Sequence, residues 1–164
     1  MRLYLLRHAT ASDVAPNDDE RELTQEGREE ARVAGVALAR MGVKPSHILS
    51  SPLVRARQTA EIAAKALKFS KDIELADELE NGISTAALLK ALQSCASNGP
   101  VLLVGHMPSL SEHLAAFIGS ENVQSLPMGK GSVACVEIEP LRSGTGQLLW
   151  LMRQEQLRHV AGQT

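Results

Sequence analysis

Short apolar runs alternate with segments of helical period along this chain, and that alternation constrains the fold more than any other feature. Residues 2–6 (RLYLL), 47–50 (HILS) and 101–104 (VLLV) are too short for helices and too apolar for loops. They read as buried strands, with 72–75 as a shorter candidate. Between them lie helix signatures. Thr24 is placed to cap a helix that carries Ala31, Val33, Ala34, Val36, Ala37 and Leu38, and Gly42 supplies a left-handed stop. Pro52 stands at the start of a second helix, with Ala56, Thr59, Ala60, Ile62, Ala63 and Leu67 along it. Ser84 opens a third, expected to run to about Ser97 and to end at Asn98-Gly99-Pro100. Pro108 starts a fourth, to about Ile118. Residues 132–138 and 147–153 alternate as two strands around the turn Ser143-Gly144-Thr145-Gly146. Residues 9–22, 76–83 (acidic) and 119–131 read as loops. The last eleven residues are polar and read as a frayed tail.

Strand and helix alternate for two thirds of the chain, and a hairpin then closes it. The predicted fold is α/β: a three-layer αβα sandwich with a mostly parallel sheet and an antiparallel edge, in one domain over 1–164. Composition agrees. Hydrophobic residues make up 44% but aromatics only 2%, so the core must come from Ala, Leu, Val and Ile. That favours helices on a sheet over a β-sandwich.

Net charge is −2, which excludes the basic footprint of a general nucleic-acid binder. Cys95 and Cys135 stand outside any metal or redox spacing and read as buried thiols of a reducing compartment. No stretch approaches the about 20 apolar residues of a membrane span. Residues 1–6 are too short for a signal segment. The expectation is a soluble cytoplasmic protein with no nucleic-acid or membrane partner.

Ligands of such sheets bind at the carboxyl ends of the strands. Three strand ends here carry cationic or imidazole groups: Arg7-His8, Ser50-Ser51-Pro52 leading to Arg55 and Arg57, and Gly105-His106. Two helix N-termini face the same crevice. Arginines and helix N-termini together favour a phosphate group.

The motifs now have a resemblance. Leu6-Arg7-His8-Ala9 is similar to the RHG signature of the histidine phosphatase superfamily. Arg21-Glu22-Leu23-Thr24 with Gly27 resembles its RxLTxxG segment, Ser51 to Ala60 its SPxxRAxQTA segment, and Val104 to Pro108 its GHxP segment. The four occur in family order. The short chain and the compressed region between 70 and 100 most resemble the SixA-type protein-histidine phosphatases. Larger members, such as phosphoglycerate mutases and acid phosphatases, insert more chain over the site. The resemblance implies the phosphoglycerate mutase-like fold and assigns roles. His8 is the nucleophile, forming a phosphohistidine. Arg7, Arg55 and His106 hold the phosphoryl group, His106 as a fourth donor when protonated. Glu78 lies near the family's general acid, with Asp18 and Asp19 as alternatives. No metal or cofactor is called for. Substrates are a phosphorylated protein, such as a phosphotransfer domain, or a small sugar or nucleotide phosphate. A non-catalytic phosphate-binding module is the third possibility.

Two departures stand out. Ala9 replaces the motif glycine, which is harmless if its φ is negative and costly otherwise. Val14 stands where mutase-like members tend to carry Asn, which argues against a mutase. Other polar residues have plain readings. Arg57 is a surface charge or a support behind the site. Arg21 either lines the rim or pairs with acidic neighbours. His47 is a strand-edge residue and His159 belongs to the tail. His113 follows His106 by seven positions without a third metal ligand. Lys130 is a turn lysine.

Overall fold

The first apolar run forms β1 (Arg2–Arg7), the strand from which the rest of the molecule is organised. The computed structural model describes residues 1–95 and 99–163. After β1 come α1 (Gln25–Arg40), β2 (His47–Ser50), α2 (Val54–Ala66), β3 (Glu74–Leu75), α3 (Thr85–Leu92), β4 (Val101–Gly105), α4 (Ser109–Ile118), β5 (Val133–Ile138), β6 (Gly146–Met152) and α5 (Gln154–Val160). The six strands form one sheet in the order β3-β2-β4-β1-β5-β6. The first four are mutually parallel; β5 runs antiparallel to β1, and β6 antiparallel to β5. The α/β expectation holds, including the antiparallel edge.

Strand period two divides the apolar residues between two cores. Leu3, Leu5, Leu49, Val101 and Leu103 face α3 and α4, meeting Leu88, Leu92, Leu110, Leu114 and Phe117. Tyr4, Leu6, Ile48, Leu102 and Val104 face α1, α2 and α5, meeting Val33, Ala34, Leu38, Ala56, Ala60 and Ala63. On that second side α1 and α2 cross closely. A Cβ on Gly35 would stand 2.8 Å from the Ala63 Cα, so only glycine allows the approach.

Both ends of α1 are capped by side-chain and backbone chemistry legible in the sequence. The Thr24 hydroxyl accepts the Gly27 N–H. At the other end Gly42 has φ 77°, its N–H donates to Ala39 O, and the Val43 N–H donates to Leu38 O. That pair of bonds is the Schellman closure.

Three expectations need correction. The tail is not frayed: α5 docks on α1, Leu157 is fully buried, and Gln163 donates to Glu29. Its few apolar residues, Leu157, Val160 and Ala161, were too sparse to show a period. Loop 76–83 is not simply solvated. Asp77–Leu79 form a 3₁₀ turn that buries Leu79 against the end of β4. Pro52 precedes α2 by two residues instead of starting it. The α3 expectation holds as far as Leu92, with a 3₁₀ turn over Gln93–Cys95; its end near Ser97 and the Asn98 stop lie outside the described residues.

Candidate active site

The carboxyl ends of β1, β2 and β4 lie side by side, and each delivers its polar residue to one place. His8 follows β1 and its N–H donates to Gly105 O, so the ends of β1 and β4 are tied together at the site. The approach at Gly105 is close: a Cβ would lie 3.0 Å from Leu79 O. His106 follows β4, and its ring centroid lies 5.0 Å from that of His8. Both imidazoles are buried. Arg55 reaches the same place from the first turn of α2 and is 6% exposed. Arg7 is half-buried.

His8 Nδ1 lies 2.8 Å from the Ala9 carbonyl oxygen. A carbonyl only accepts, so Nδ1 carries the proton and Nε2 presents its lone pair. Burial, and then the charges of His106, Arg55 and Arg7, push the His8 pKa down to about 3. Burial, and then Arg55, push His106 down to about 4; Asp18 pulls the other way, and Arg7 adds a smaller push down. These influences favour the neutral form of His106 near pH 7.

The two arginines are held unequally. Arg55 donates to Asp18 O at 2.7 Å and to Asp18 Oδ2 at 3.0 Å. Arg7 donates once, to Met128 O at 2.9 Å. Arg7 Nε, Arg55 Nε and His106 Nδ1 are all buried without a hydrogen-bond partner among the described residues. The helix starts contribute less than expected. The Val54 N–H donates to Asp19 O, and the Ser109 N–H to Asn81 Oδ1. The donors left unpaired belong to side chains.

Residues 3–82 match the family model of the histidine phosphatase superfamily (branch 1). An uncharacterized protein of Picosynechococcus is 33% identical over 152 residues, covering 90% of this chain and 88% of its own. The chain belongs to the histidine phosphatase superfamily. The structure of the protein histidine phosphatase SixA complexed with tungstate is 27% identical, with a TM-score of 0.87 over 96% of this chain and 99% of that one. An alpha-ribazole phosphatase from Shigella flexneri shares the fold at 18% identity, with a TM-score of 0.78 over 94% and 97% of the two chains. Drosophila Pgam5 phosphatases match over a shorter stretch, and this chain spans about a quarter of their length. Membership of the superfamily and the likeness to the SixA structure support a phosphatase.

The superfamily motifs now have physical meaning here. A Cβ on Gly27 would land 1.9 Å from Thr10 O, so this glycine lets α1 pass the loop that follows His8. Ala9 is tolerated: Lys68 is the only non-glycine with positive φ among the described residues, and the Ala9 methyl packs with Ala11, Leu23 and Ala31. Val14 is 90% exposed. Arg21 pairs with Asp13 and Asp18 and ties the loop together. Asp19 is exposed and contributes only its carbonyl. Asp18 is kept below the usual carboxylate range by Arg21 and Arg55. Glu78 is half-buried in the turn beside Gly105 and makes no hydrogen bond or ion pair with the described residues.

Several supporting residues escaped the sequence reading. Thr59 accepts the Ala9 N–H and donates to Arg55 O, linking the residue after His8 to α2. Buried Glu30 accepts the Thr10 N–H and hydroxyl. Its signal was present: Glu30 interrupts the buried stripe Gly27, Ala31, Ala34, Leu38 of α1. Among the described residues no group of three His, Cys, Asp or Glu could hold a metal ion.

Proposed function

We propose that this protein removes phosphate through a phosphohistidine on His8, and that its substrate is phosphohistidine carried on a protein. One observation carries the reading. His8, His106, Arg55 and Arg7 meet at one sheet end, and Arg7 Nε, Arg55 Nε and His106 Nδ1 are buried there without a partner among the described residues. Buried unpaired donors are costly, and a phosphoryl group supplies an acceptor for each.

In the first step His8 Nε2 attacks phosphorus and the bond to the leaving group breaks in line. Arg7, Arg55 and His106 hold the equatorial oxygens throughout. A nearby positive charge opposes protonation of His8, so the nucleophile is ready without a separate base. In the second step water attacks the phosphohistidine, phosphate departs and His8 Nε2 regains its lone pair. No metal is needed in this scheme, because the arginines offset the charge.

The leaving group decides the substrate. An ester oxygen needs a carboxylic acid, whose contribution is about 10²–10⁴-fold. Asp18 is a poor candidate, since its two arginine partners keep it ionised. Phosphohistidine, with a better leaving group, depends less on an acid. Val14, 90% exposed on the loop that carries Asp18, offers an apolar contact to a protein surface. The high coverage of the SixA fold agrees with this choice. The second reading, a small-molecule phosphomonoesterase, is favoured by one feature: Glu78 is unpaired at the same sheet end.

The test is a 32P label. A phosphorylated enzyme should be trapped in wild type and absent in His8→Ala. No label in wild type would leave a phosphate-binding module. Phosphohistidine protein should be turned over faster than sugar or nucleotide phosphates. Better turnover of the esters, with loss on Glu78→Gln, would overturn the protein substrate.

A further inference from the structure

Ser51, at the end of β2, is fully buried. Its hydroxyl oxygen lies 2.7 Å from His106 Nε2 and receives the Leu53 N–H at 3.4 Å. A hydroxyl has one proton to give and two lone pairs to offer. Leu53 takes one lone pair. Among the described residues only His106 stands where the proton can go.

Two arrangements of this contact are possible. In one, Ser51 donates to a bare Nε2, and both groups are satisfied. In the other, an Nε2–H donates to Ser51, and the serine proton is left buried without an acceptor. The first avoids an orphaned donor. A neutral imidazole whose Nε2 accepts must carry its proton on Nδ1. That atom is the buried, unpartnered one at the site.

We infer that Ser51 is a positioning residue whose hydroxyl fixes His106 in the Nδ1–H tautomer, so that a neutral imidazole donates to the phosphoryl group. His8 holds the same tautomer by a different partner, the Ala9 carbonyl. The two rings, 5.0 Å apart, then do opposite things. His8 turns its bare Nε2 to the site and is a nucleophile. His106 turns its Nδ1–H to the site and is a donor. The other tautomer of His106 would aim a lone pair at a phosphoryl oxygen and repel it. A charged His106 would have to exist buried beside Arg55 and Arg7. Ser51 thus supplies a donor without a further positive charge.

The consequence for phosphate binding rests on the reading proposed above; the tautomer does not. Protein with 15N-labelled histidine is examined by long-range 1H–15N NMR at pH 7, with His106 assigned by loss of its signals in His106→Gln. The expected pattern is a pyrrole-type Nδ1 and a pyridine-type Nε2. In Ser51→Ala the pattern becomes mixed or inverts, and orthovanadate binds about tenfold more weakly, the loss of about one hydrogen bond. Ser51→Thr keeps the hydroxyl and restores both. A protonated Nε2 in the wild type overturns the inference, and this measurement needs no serine variant to fold. A folded Ser51→Ala with unchanged tautomer and unchanged vanadate affinity overturns it as well. Wild type that binds no vanadate while showing the expected tautomer would count against the phosphoryl-transfer reading and leave the Ser51–His106 assignment standing.

Discussion

The two faces of the sheet and its carboxyl end obey opposite rules. Between the sheet and α3–α4, Leu88, Leu92, Leu103, Leu114 and Phe117 are fully buried and apolar, with the buried His113 imidazole stacked on Phe117 beside them. At the carboxyl end, His8, Arg55 and His106 are nearly as buried, yet three of the polar nitrogens there find no partner among the described residues. The first region is built for stability. The second spends stability to keep donors unpaired, as binding sites do. Substitutions in the two regions should therefore separate folding from activity.

The largest effect should come from the apolar face. Phe117→Ala removes a fully buried ring and should cost about 3–5 kcal/mol in urea unfolding, with turnover per folded molecule unchanged. A large change in turnover per folded molecule would show that the two regions are coupled. Arg7→Met should do the reverse. Loss of one phosphoryl donor lowers turnover by about 10²–10³-fold. The melting temperature should hold or rise, because burial already pushes the Arg7 guanidinium below its ordinary pKa. A large drop in melting temperature would mean that Arg7 is a structural residue.

Acid should sharpen the contrast. Burial pushes His8 down to about 3 and both His106 and His113 to about 4. An unfolded imidazole takes up its proton near pH 6.5. Below that pH the unfolded chain binds more protons than the folded one, so stability is full above pH 6.5 and is lost as pH falls towards 4. Each imidazole contributes at most about 1.4 kcal/mol per pH unit in that window. His113 lies in α4, bonded to Thr85 and stacked on Phe117, away from the site chemistry. His113→Leu should therefore flatten the pH dependence of unfolding without altering turnover. An unchanged slope would place the acid sensitivity wholly at the site.

Much of the site was legible in the sequence because strand ends are. An apolar run that stops at Arg7-His8 or Gly105-His106 marks both the strand and what it delivers. Caps were legible for the same local reason: Thr24 and Gly42 act within a few residues of themselves. What escaped depends on partners far along the chain. Glu30 has its role only through Thr10, twenty residues away, whose N–H and hydroxyl its carboxylate accepts. Asp18 looked like a candidate acid until Arg55 and Arg21 were found on it. Residues 154–160 looked like a tail until α1 offered a surface to cover Leu157.

Apolar period and turn chemistry are local, so the residues alone set the order of elements as far as β6 and the gathering of Arg7, His8, Arg55 and His106 at one sheet end. The states of those groups depend on the folded chain. Which nitrogen of His8 bears the proton follows from the Ala9 carbonyl, and the neutrality of His106 from burial beside two arginines. Protonation and tautomer are set by what surrounds a ring, and packing alone brings those surroundings together.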